Sequence, residues 1–151
     1  MENAIIYEES RPQAVSGLYS TRSILLGTFL GSPLAASILM ALNYRRIDKP
    51  AAARKALISG AISAAALIVL GFLIKDHAGI RFALNIAQLV LVYYLAKSFQ
   101  GTAISGHKEA GGKMASAWGA AGIGILSYVR LYVGLFAALF TLGVVAGAAG
   151  F

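Results

Sequence analysis

The chain contains no cysteine, which excludes disulfides, thiolate metal ligands and a cysteine nucleophile. Acids are scarce as well: six Asp and Glu stand against thirteen Lys and Arg in 151 residues. The charged fraction is 13%, where a soluble domain carries ~25%. The acids are Glu2, Glu8, Glu9, Asp48, Asp76 and Glu109, and each lies outside the middle of an apolar run. The carboxylate of a typical intramembrane proton relay is therefore missing. Catalytic signatures are missing too: there is no HExxH, no GxSxG and no phosphate-binding Walker loop. The expectation is a protein that is not an enzyme and needs no cofactor. The two histidines, His77 and His107, fall in segments expected on opposite sides of a membrane, so they cannot converge on one metal.

What the chain has in abundance is apolar surface. Hydrophobic residues make up 58% and the mean hydropathy is +0.74. A small soluble fold has too little interior to hide so much, whereas lipid removes the difficulty. The excess of basic residues sits in short segments flanking apolar runs, the placement of topology-setting charges. These residues form no groove-sized pattern, so nucleic acid is not an expected partner.

Four apolar runs organise the chain. Residues 23–43 contain no charge over 21 positions, enough for a helix to cross a core of roughly 30 Å. Pro33 lies inside this run and is expected to kink it. Residues 56–74 form a second run, and a short turn joins it to a third at 82–97, so these two helices should form an antiparallel hairpin. The third run is short, but its helix is expected to continue past Lys97 toward Gly111-Gly112, a C-capping pair. A fourth span is placed at 123–145, with an interfacial lead-in anchored by Trp118. The expected fold is thus all-α, a single bundle of four transmembrane helices over 23–151. Residues 1–22 form a polar tail that lacks the basic start and apolar core of a cleaved signal.

With four spans the connectors alternate sides. Connector 44–55 carries Arg45, Arg46, Lys49, Arg54 and Lys55, and connector 97–113 carries Lys97, Lys108 and Lys113. The tail and the second turn hold two basic residues each. The positive-inside rule then assigns both connectors to the cytoplasm and both termini to the outside.

Helices in lipid associate through close contact of small residues. Gly27 with Gly31, and Gly143 with Gly147, form two GxxxG motifs, while Ser59, Gly60 and Ser63 give the second span a small face. These surfaces serve either packing within the bundle or contact with another copy or another membrane protein. Among residues that could carry chemistry, Arg130 is the only charge within the last run, where an ionisable group is costly and either functional or snorkelling to the surface. Asn85 and Gln88 share a face of the third span and suit either an interhelical hydrogen bond or a solute path.

The stretch Leu18-Tyr19-Ser20-Thr21-Arg22, the run Gly27-Thr28-Phe29-Leu30-Gly31-Ser32-Pro33-Leu34-Ala35-Ala36, and then Asn43-Tyr44-Arg45 resemble a family of small uncharacterised bacterial four-helix membrane proteins. Gln100-Gly101, His107 and Gly111-Gly112 extend the likeness over about two thirds of the chain. Thr21 stands where that group carries proline. The resemblance implies a bacterial inner-membrane location and brings no activity. The leading expectation is a non-enzymatic membrane protein that binds other membrane components, or itself, through its small-residue faces. One form of it is an immunity protein against a membrane-directed toxin. The alternative is a channel or small-solute transporter with Arg130 or Asn85 and Gln88 lining the path.

Overall fold

A computed structural model describes residues 17–74 and 76–148. Most of the expected tail 1–22, and Lys75 of the second turn, lie outside the described residues. Among those described there are five helices: α1 (Thr21–Gly31), α2 (Pro33–Arg46), α3 (Pro50–Leu73), α4 (Ala78–Glu109) and α5 (Ala117–Ala148). Three of them, α3, α4 and α5, are long and apolar enough to cross a membrane, rather than the expected four.

The difference lies in the first run. Residues 23–43 are not one kinked span but two short helices folded back on each other. As a continuous helix, Tyr19 and Asn43 would stand roughly 36 Å apart. Instead the Tyr19 N–H donates to Asn43 Oδ1 at 2.7 Å and Asn43 Nδ2 donates to the Tyr19 carbonyl at 2.8 Å. The fold-back occurs at Ser32, whose φ of 99° lies in the left-handed region. A positive φ takes the chain off the helical path, and Pro33, lacking an N–H, is pre-organised to begin a new helix as its first residue. The two arms have 11 and 14 residues, about 16 and 21 Å. Each reaches only part-way through a bilayer core, so the pair is re-entrant. Ser20 caps the first arm, its hydroxyl accepting from the Ser23 N–H at 3.1 Å.

This re-entrant hairpin is the hub of the molecule. α1 packs on α4 and α5, and α2 packs on α3, α4 and α5, whereas the three long helices do not pack extensively on one another. The largest fully buried side chains are Leu18, Ile24, Thr28, Leu39, Asn43 and Gln100, all in the hairpin or against it. A hydrogen-bonded network locks its base. Besides its two bonds to Tyr19, Asn43 donates to Gln100 Oε1 at 3.0 Å, and Gln100 Nε2 donates to the Met40 carbonyl at 2.8 Å. Leu18 bridges to Met114, with the Ala115 N–H donating to the Leu18 carbonyl at 2.9 Å. The Arg46 guanidinium donates to the Gly17 carbonyl and lies 4.9 Å from the centre of the Tyr19 ring.

The expected extension of the third helix is present: α4 runs to Glu109 and ends in a Schellman motif. Gly111 is left-handed with φ 73°, its N–H donates to the Lys108 carbonyl at 3.0 Å, and the Gly112 N–H donates to the His107 carbonyl at 2.8 Å. Helix α5 begins at Ala117 and so absorbs the expected lead-in, with Trp118 fully exposed near its start.

One end of the bundle, which we call the closed end, gathers residues 17–20, the α2–α3 connector and the α4–α5 turn. At the opposite, open end, α3, α4 and α5 separate. Past Ala64 on α3, before Val92 on α4 and past Ser127 on α5, no described residue is buried. Helices α3 and α4 are consecutive and antiparallel, and they diverge rather than packing on each other. Because the chain folds back at Ser32, residues 17–20 lie at the same end of the bundle as the basic connectors, and the α3–α4 turn and the end of α5 lie at the other end.

Candidate functional site

Broken helices place irregular backbone at membrane depth, which is tolerated only where protein buries it or it borders a water-filled cavity. Below the hairpin tip there is a cavity of about 610 Å³, within the range of small-ligand sites. Its roof is Phe29, Leu30, Ser32 and Pro33, and its walls come from α3, α4 and α5. The apolar walls include Ile68 and Phe72 of α3 and Leu131 and Leu135 of α5.

Six residues supply the polar lining. Arg81, Asn85 and Gln88 of α4 face the cavity at positions i, i+4 and i+7, one stripe of the helix. Tyr128 and Tyr132 face it from α5, one turn apart, with ring centres 4.5 Å from each other. Ser32 completes the set from the roof. Among the described residues, its Oγ is the buried side-chain polar atom that lacks a hydrogen-bond partner. The first turn of α2 starts beside it, so the positive end of that short helix's dipole also lies at the roof.

Asn85 Nδ2 donates to the Arg81 carbonyl of its own helix at 2.9 Å, which leaves Oδ1 as an acceptor. The remaining groups are donors or two-way hydroxyls and amides. Among the described residues, Arg81 is the cationic side chain that lines the cavity, and no carboxylate lines it. Such a lining suits hydrogen bonding to a small polar or anionic solute. Among the described residues no cluster of three or more His, Cys, Asp or Glu forms a metal-binding group.

The sequence-derived candidates fall into three groups. Asn85 and Gln88 line the cavity together. Arg130 does not: it is exposed on α5 and lies two residues, more than half a turn, from both Tyr128 and Tyr132. It therefore points away from the face they present. It also sits 13 residues into α5, about 20 Å from the helix start, deeper than a helix beginning at Ile123 would place it.

The small residues divide. Gly27 and Gly31 pack inside the molecule, where an added methyl on Gly31 would strike the Gly124 backbone and one on Gly27 would strike Leu39 and approach the Ala120 carbonyl. Gly60 sits against Ser37 of α2. Ser59 and Ser63 are exposed and line a groove between α3 and α4 that adjoins the cavity, sharing Pro33, Leu67, Leu84 and Gln88 with it. Gly143 and Gly147 have nothing within 4 Å.

Sequence reasoning missed Ser32, Arg81, Tyr128 and Tyr132. The usable signals were the Ser32-Pro33 break and the helical spacing of Arg81 with Asn85 and Gln88. Comparison with known proteins finds no matching family model, no similar curated protein and no similar solved structure.

Proposed function

We propose that this is a non-enzymatic, multi-pass protein of a bacterial inner membrane that binds a small polar or anionic solute beneath its re-entrant hairpin and passes it across the bilayer. The observation that carries this reading is the juxtaposition of a broken helix, with an unpartnered Ser32 hydroxyl, and a cavity lined by Arg81, Asn85, Gln88, Tyr128 and Tyr132. Transporters use short helices that end inside the membrane in this way, directing helix N-termini at anionic groups of the solute. The bacterial location is supported by the family resemblance, and the orientation by the positive-inside rule. The closed end, with connectors 44–55 and 97–113, faces the cytoplasm, and the end of α5 faces outward.

Capture of a partner or toxin through Gly27, Gly31 and Gly60 has less support, because those faces are filled from within. A second reading, self-association, is favoured by Gly143 and Gly147, which remain open on α5.

Purified protein reconstituted in liposomes is the test, with flux measured for small anions, amino acids and neutral polyols. The expected result is flux of at least one class, reduced about tenfold or more in Gln88→Leu, the effect of losing ~1.4 kcal/mol of solute interaction, and unchanged in Arg130→Gln. Absence of flux for every class, or flux indifferent to Gln88→Leu and Arg81→Gln, overturns the reading.

A further inference from the structure

A second space opens between α3 and α4, where two consecutive helices would be expected to pack. It measures about 850 Å³. Its floor is α2, and its length on α3 runs from Ala52 and Lys55 to Leu67. From Lys55 to Leu67 a helix rises about 18 Å, slightly more than half of a ~30 Å hydrocarbon core. The groove therefore has the length of one leaflet and lies at the closed end of the bundle. Small residues on α3, among them Ala56, Ser59 and Ser63, make it deep, and Leu91, Val92 and Leu95 of α4 make its far wall apolar.

Its mouth is cationic. Lys55 and Tyr44 lie there, next to the connector that carries Arg45, Arg46, Lys49 and Arg54 against the single acid Asp48. An apolar slot one leaflet long, opening under a cluster of positive charge, has the chemistry of a phospholipid with an anionic headgroup. We propose that the α3–α4 groove is a seat for one anionic phospholipid of the leaflet at the closed end. Its acyl chains lie against α2, and its phosphate meets Lys55 and the Tyr44 hydroxyl. Basic pockets between transmembrane helices recognise anionic lipids through this combination. A second copy of the chain fits less well, because a copy inserted in the same sense would bring its own basic connector to the same depth and repel the first.

Native mass spectrometry of the full chain in detergent tests the proposal, with phosphatidylglycerol and phosphatidylcholine of identical acyl chains added in turn. Retention of phosphatidylglycerol should exceed that of phosphatidylcholine by about fivefold, the worth of one lysine near an anionic surface. Lys55→Glu should remove the preference. Ser63→Phe, which fills the groove from an exposed position, should remove retention of both lipids while the thermal midpoint stays at the wild-type value. Equal retention of the two lipids, a preference that survives Lys55→Glu, or a dimer that Ser63→Phe abolishes overturns the proposal. The last outcome would assign the groove to a second copy.

Discussion

Gly27–Gly31 and Gly143–Gly147 are the same motif at the two ends of the molecule, and their surroundings are opposite. The first pair meets α5 so closely that Gly31 has no room for a methyl group, because the Gly124 backbone occupies it. The second pair has no neighbour within 4 Å. In lipid there is little hydrophobic drive between helices, and contact is worth only the packing it achieves. A small-residue motif therefore states that a helix can be approached closely, not that anything approaches it. At the closed end the re-entrant hairpin supplies surface for all three long helices. At the open end nothing among the described residues fills the same role, and the helices diverge.

The sharpest way to break this comparison is topological, and its effect is all-or-none. The chain has no cysteine, so single thiols can be introduced at exposed Arg22, Lys49, Lys113 and Asp76. With a membrane-impermeant reagent, Arg22→Cys, Lys49→Cys and Lys113→Cys should label from one side and Asp76→Cys from the other. A single span over 23–43 would instead put Arg22→Cys and Lys49→Cys on opposite sides. Next in size is Gly31→Leu, which drives a side chain into the α5 backbone. It should cost about 3 kcal/mol or more, read as a shifted midpoint in a denaturing-detergent titration. Asn43→Leu follows. It leaves the Tyr19 N–H, the Tyr19 carbonyl and Gln100 Oε1 without their partner at a buried site, and should cost about 2–3 kcal/mol in the same titration. The smallest effect belongs to the other motif. Gly143→Leu with Gly147→Leu should leave the midpoint within about 0.5 kcal/mol of wild type, and a larger loss would mean that the open end is packed after all.

Much of this architecture was legible in the sequence. Apolar runs located α3, α4 and α5, and the Gly111-Gly112 pair located the end of α4, because a left-handed C-cap demands a residue that tolerates positive φ. The hairpin was not legible, for a geometric reason. Counting 21 uncharged residues measures path length, and a path that crosses once has the same composition as one that goes half-way and returns. Only the local break at Ser32-Pro33 separates the two, and its consequence is set by the distant bond between Asn43 and Gln100, 57 residues apart. At the site, Asn85 and Gln88 stood out as amides in an apolar stretch. Arg81 was counted with the turn because a charge at the edge of a run marks its limit. Arg130 drew attention through the cost of a charge in lipid, but that cost says nothing about which way the side chain points.

The hairpin also imposes an order of events during synthesis. Helices α1 and α2 leave the ribosome before the surfaces that complete their seat, around Gln100 on α4 and around Ala120 and Gly124 on α5, are translated. Neither arm is long enough to stand across the bilayer by itself. The hairpin's packing is complete only once the third long helix has been inserted. The hairpin is thus made before its packing can be completed, and a ribosome stalled before α5 would leave the Gly27–Gly31 face of α1 uncovered.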